Sequence, residues 1–141
     1  MKEKVIISIC GEETSAEGEN DKIEFITEGN YYERSGKLYL CYKETEISGF
    51  DDDTTTTLKI DGDTVSMTRF GKVNTHMVFC RGKRHLSHYE TPYGSFTIGI
   101  LPEHVSVNLN DGAGDINIEY MIEIDNTPSS THSLNLNVRK A

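Results

Sequence analysis

Tryptophan is absent from the 141-residue chain, and proline and cysteine occur only three times each. Cys10, Cys41 and Cys80 stand far apart with no Cys-x-x-Cys pair. That excludes both a secreted disulfide framework and a thiolate zinc site, and it points to reduced thiols in a cytoplasmic protein. No apolar run approaches the roughly 20 residues a membrane-spanning helix needs. The stretch Val5-Ile6-Ile7-Ser8-Ile9 is shorter than the roughly 7–15 residues of a secretory core, and Glu3 sits where basic residues belong. It reads as a first β-strand. No helical period of 3.6 residues holds over any long segment.

Chemical signatures are equally scarce. No Gly-x-Ser-x-Gly elbow, glycine-rich phosphate loop or calcium loop is present, and Asp51-Asp52-Asp53 and Asp61-Gly62-Asp63 lack the Asp-x-Asp-x-Asp-Gly order. His85 and His88, three apart, fall on opposite faces of a strand. With His76, His104 and His132 they read as surface histidines rather than metal ligands. No enzyme activity, cofactor or metal is indicated. A net charge of −9 argues against nucleic acid as a general partner, because such affinity rests on cations meeting phosphates.

What the chain does have is alternation with period two, the mark of strands with one buried face. Ile116, Ile118, Tyr120, Ile122 and Ile124 alternate with Asn117, Glu119, Met121 and Glu123. Leu134, Leu136 and Val138 alternate with Asn135 and Asn137, and further runs are Val5/Ile7/Ile9, Leu38/Leu40/Tyr42, Phe96/Ile98/Ile100 and Val105/Val107/Leu109. Turn residues separate them: Ser35-Gly36, Asp61-Gly62, Asp111-Gly112-Ala113-Gly114 and Asn126-Thr127-Pro128. Pro92 and Pro102 are expected between strands. The stretch from Gly11 to Asp21 is acidic and has no large apolar residue, so a mobile loop is expected there. With no repeat and no composition break, residues 1–141 read as one all-β, antiparallel domain.

Several local runs carry a resemblance. Gly29-Asn30-Tyr31-Tyr32 is followed by Gly36-Lys37-Leu38-Tyr39-Leu40-Cys41-Tyr42-Lys43-Glu44, then Met67-Thr68-Arg69-Phe70-Gly71, then Tyr93-Gly94 before a Phe/Ile strand. In that order and spacing the chain resembles, over essentially its whole length, the YwiB-like family of small uncharacterised bacterial proteins. The resemblance implies a calycin-like, lipocalin-like up-and-down barrel of about eight to ten strands. It implies no activity.

Side-chain parity singles out two charges. Arg69 shares a face with Val65 and Met67, and Glu44 shares one with Leu40 and Tyr42. Both therefore point inward, where a charge needs a partner. They read either as a polar anchor at the mouth of a ligand cavity, with Tyr42 and Tyr120 as further lining, or as an ion pair at a strand end that sets register. Between Ser66 and Tyr89 there is no acid, only Arg69, Lys72, Arg81, Lys83 and Arg84 with three histidines. Two functions are compatible with this pattern. One is a barrel that binds a small amphipathic or anionic ligand. The other is a filled barrel that meets an acidic protein or an RNA through the basic strip 69–84. Cavity volume separates them. Nothing in the sequence sets an oligomeric state.

Overall fold

The computed structural model describes residues 2–44, 54–71, 74–91 and 94–141. Among these residues there is no helix. Ten antiparallel strands follow one another as β1 (Glu3–Ser15), β2 (Asn20–Arg34), β3 (Lys37–Lys43), β4 (Thr55–Asp61), β5 (Thr64–Phe70), β6 (Thr75–Phe79), β7 (His85–Thr91), β8 (Gly94–Asn110), β9 (Ala113–Ile124) and β10 (Thr127–Lys140). Sequential strands pair as a meander, and β1 pairs with β10. The barrel is thus closed everywhere except between β6 and β7.

Turn chemistry sets the meander. Ser35-Gly36, Asp111-Gly112 and Asp125-Asn126 are two-residue loops with both residues at positive φ, the geometry whose twist matches that of the flanking strands. At the open seam, Ser87 Oγ donates to the His76 carbonyl oxygen at 2.8 Å. The His76 and His85 rings meet edge-on there, with centroids 6.1 Å apart.

Two sequence expectations change here. The acidic stretch is mostly strand, with the turn confined to residues 16–19: Glu12, Glu13 and Thr14 pair with Lys22, Asp21 and Asn20 on β2 and with Ser133, His132 and Thr131 on β10. Backbone hydrogen bonding on both sides holds it as strand, whatever its side chains lack. Pro102 lies inside β8 rather than between strands, next to a register shift between Pro102 and His104. A bulge tolerates a residue with no N–H to donate, and the Pro102 carbonyl accepts from Gly82 N at 3.1 Å. The bulge also switches parity. Ile98 and Ile100 face inward before it, Val105 and Val107 after it, so two apolar runs form one strand.

The waist of the barrel is filled. Ile7, Leu40, Leu58, Phe79, Ile100 and Ile116, from six different strands, are fully buried. Ile118, Leu136 and Val138 join them, with Tyr120, Ile122 and Leu134 packed against the core, and Glu119, Asn135 and Asn137 face solvent as alternation requires.

Candidate functional site

Register brings the inward polar residues together. Gly29, Tyr42, Thr56 and Arg69 form one row across β2, β3, β4 and β5. A glycine suits this row: a Cβ at position 29 would stand 2.7 Å from both the Cys41 carbonyl oxygen and Ile7 Cδ1, so the β2–β3 backbones could not approach as closely. One step beyond β3, the Glu44 N–H donates to the Thr54 carbonyl oxygen at 2.8 Å. This turns the Glu44 side chain into the interior, where it is 3% exposed.

Glu44 Oε1 accepts from Thr56 Oγ1 at 2.6 Å and from Arg69 Nε at 3.5 Å. The pair is lopsided: the Glu44 carboxylate is almost fully enclosed, while the Arg69 side chain retains partial exposure. Burial pushes the Tyr42 phenol well above its ordinary range. The Glu44 charge adds to that rise, and Arg69 and the Thr56 hydrogen bond partly oppose it. Tyr42 is therefore a neutral wall of the site.

Arg69 opens onto a cavity of about 420 Å³ at one end of the barrel, shared with Tyr120, His132, Glu13, Asp21 and Leu134. Tyr120 stacks on His132, with centroids 4.9 Å apart and planes within 8°, and tilts against Phe79 at 4.8 Å. His132 Nε2 shares a 2.7 Å hydrogen bond with Ser130 Oγ. Burial lowers the His132 pKa, and the Glu13 charge partly restores it. The cavity therefore has an arginine on one side and an aromatic stack on another, with a volume inside the range of small-molecule sites.

A second hollow, of about 610 Å³, lies at the opposite end beside Tyr31, Leu38, Leu109 and Asp111. Glu3, Glu33 and Lys140 also line it, and burial, with the charges of Glu33, Glu3 and Asp111, raises the Tyr31 phenol pKa, so acids outnumber the cation at that end. A third hollow, of about 630 Å³, is a trough on the outer face of β2, β1, β10 and β9, lined by side chains such as Asn117, Asn135 and Ile26 and by no cation. Neither combines a buried charge with an aromatic wall.

A profile for a domain of unknown function, DUF1934, matches residues 7–136. The chain belongs to this family. The uncharacterized β-barrel protein YwiB of Bacillus subtilis (strain 168) is 25% identical over 120 residues, which is 85% of this chain and 82% of that protein. The crystal structure of the YwiB protein from Bacillus subtilis superposes with a TM-score of 0.84 at 21% identity, covering 99% of this chain and 93% of that one. The likeness establishes the DUF1934 fold as a β-barrel. It brings no function with it.

Within this DUF1934 barrel, the four inward residues named from parity divide as follows. Tyr42, Glu44 and Arg69 are contiguous, and Tyr120 joins Arg69 across the cavity. The basic residues do not form one strip. Arg69 is inside the barrel, and Lys72 lies outside the described residues. Arg84 donates through Nε to Glu123 Oε1 and through Nη2 to Asn126 Oδ1, both at 2.9 Å. Arg81 and Lys83 are exposed at the β6–β7 turn. Absence of nearby acids in sequence does not mean absence in space, because β9 brings Glu123 alongside. Sequence reasoning missed His132, Glu13 and Asp21. His132 had a signal, sharing parity with Leu134, Leu136 and Val138, whereas Glu13 and Asp21 could be placed only once the hairpin register was known.

Proposed function

We propose that this DUF1934 barrel binds a small amphipathic molecule in the cavity between Arg69, Tyr120 and His132, with Arg69 taking its anionic end. The observation that carries this reading is a guanidinium held by a buried carboxylate at the edge of a hollow of about 420 Å³. A fork of donors suits a carboxylate or phosphate better than a point charge does. The packed waist confines the ligand to the open end, so it occupies a mouth rather than a full lumen. The calycin-like resemblance supports a carrier or sensor of this kind, and the three free thiols fit a cytoplasmic setting. An interaction module working through residues 69–84 has less support, since Arg69 points into the barrel and Arg84 is bound to Glu123 and Asn126.

Native mass spectrometry of protein purified from its own host tests the reading. A retained mass in the wild type that is lost in Arg69→Leu and kept in Lys83→Leu supports it. A bare chain in both, with no small molecule raising thermal stability, overturns it.

A further inference from the structure

We propose that the outer wall of β1 to β4 binds single-stranded nucleic acid, with a base stacked on Tyr39 and phosphates held by the cations around it. This surface lies outside the barrel and stands or falls independently of the cavity.

Alternation turns one set of side chains outward here, opposite to the buried Ile7, Leu40 and Leu58. On that face Tyr32 of β2 is directly opposite Tyr39 of β3, and Lys59 of β4 is directly opposite Tyr39. Toward the β2–β3 hairpin, the next outward pair is Arg34 with Lys37. On the other side Lys4 of β1 is opposite Asn30, and Lys2 Nζ stands 5.6 Å from the centre of the Tyr32 ring. Cations thus surround two aromatic rings on a chain whose net charge is −9. None of them belongs to the basic stretch 69–84.

The acids at this face are few and peripheral. Asp61 meets Lys37 at 3.8 Å, Asp63 is exposed in the following turn, and Glu28 lies beyond Asn30. Glu3 and Glu33 belong to the opposite parity and line the hollow beside Tyr31. The side chains of Lys4, Arg34 and Lys59 make no hydrogen bond or ion pair among the described residues. Arg34 and Lys37 are like charges directly across a strand pair, which is unfavourable until an anion joins them.

The rings supply what a plain cationic patch does not. They are stacked, with centroids 4.8 Å apart and planes within 5°, and both are partly exposed. Tyr32 is covered by Tyr39 on one face and by Lys2 on the other. Tyr39 is covered by Tyr32 alone: among the described residues no ring or cation lies on its β4 side. A base laid there continues the stack and brings its phosphate within reach of Lys59. Such stacking accepts any base, since every base has a π-face. A duplex keeps its base faces covered, so the single strand is the form that fits. An acidic peptide would meet the cations and leave the ring unused.

The overall charge of the chain does not cancel this face. Charges more than roughly 8 Å away are largely screened at physiological salt, and Glu12, Glu13 and Asp21 lie around the cavity at the other end of the barrel. A strand on β1 to β4 responds to the cations it touches.

Fluorescence anisotropy of labelled oligo(U) and oligo(dT) with the full chain, over a series of salt concentrations, tests the proposal. The expected result is that both single strands bind, that binding weakens steeply with salt, and that a duplex binds at least about tenfold more weakly. Tyr39→Ala should weaken binding at least about fivefold with the salt slope unchanged, because stacking is not an ionic contact. Tyr39→Phe keeps the ring and should bind as wild type. Lys59→Gln should lower the salt slope by about 0.7, the share of one phosphate neutralised on a single strand, and it carries the test should Tyr39→Ala fold poorly. No binding of either strand at low salt overturns the proposal. A folded Tyr39→Ala that binds as wild type also overturns it and leaves a plain anion patch. Poly-glutamate bound more tightly than either oligonucleotide overturns it in favour of an acidic protein partner.

Discussion

Glu44 is the residue on which the site depends, because an enclosed carboxylate is tolerable only while its partners stay. Thr56 Oγ1 and Arg69 Nε supply them. Arg69→Leu leaves Glu44 charged and buried, so it should destabilise the fold by about 3–5 kcal/mol in urea titration. Replacing Glu44 and Arg69 together by Leu should recover much of that loss, since both desolvation costs disappear. Purely additive effects below about 1 kcal/mol would show instead that the pair is solvated and inert. Thr56→Val removes only a donor and should cost about 1–3 kcal/mol. The Glu44–Arg69 pair was legible in the sequence because parity alone puts both charges on apolar faces. Thr56 was not, because it lies in a run of threonines where every residue looks alike until register assigns one of them to Tyr42 and Arg69. The same limit hid Glu13 and Asp21: a residue's facing can be read locally, but its cross-strand neighbour depends on turn lengths elsewhere in the chain.

At the scale of strands, alternation placed the elements and the bulge was the part harder to read. Ile98 and Ile100 share one parity and Val105 and Val107 the other, and the structure resolves this as a single strand bent at Pro102. The switch in parity within a short stretch was itself the signal of an inserted residue. On β9 the two faces differ sharply. Ile118 is fully buried and Glu119 exposed, so Ile118→Ala should cost about 2–5 kcal/mol, while Glu119→Lys should stay within about 0.5 kcal/mol. Equal chemical-denaturation midpoints for the two would mean the faces are reversed. Gly114 opens the same strand at φ 140, and a Cβ there would collide with the Asn108 carbonyl oxygen. Gly114→Ala should therefore break the β8–β9 register, seen as lost amide protection on both strands. The β1–β2 hairpin makes the opposite point about acidic sequence. Strand pairing on both flanks should make the amides of Glu12 to Thr14 exchange slowly, where composition alone suggests fast exchange.

For the molecule as a whole, opposing electrostatic effects meet in the histidines. The chain carries a net charge of −9, so protonating imidazoles relieves self-repulsion and favours the compact state. Burial acts the other way at two of them. His132, half-buried against Tyr120, and His85, partly covered at the seam beside His76, both have pKa values held below the ordinary 6.5 by desolvation, with His76 adding to the effect at His85. The unfolded chain then binds protons more readily than the folded one. The stability these groups contribute is present above about pH 6.5 and is lost as pH falls through their depressed folded values. The long-range term is screened over roughly 8 Å at physiological salt, whereas desolvation is local and unscreened, so the local term wins. Thermal stability at that salt should fall as pH is lowered from neutrality through the histidine range, and the fall should steepen with added salt as the opposing term is screened further. His132→Phe keeps the ring against Tyr120 and removes the titration, so it should flatten the profile. His85→Phe should flatten it further and act independently, because the two rings sit on different parts of the wall. Melting curves for the two variants that run parallel to wild type across this range would show that these two partly buried histidines are not what couples the fold to pH.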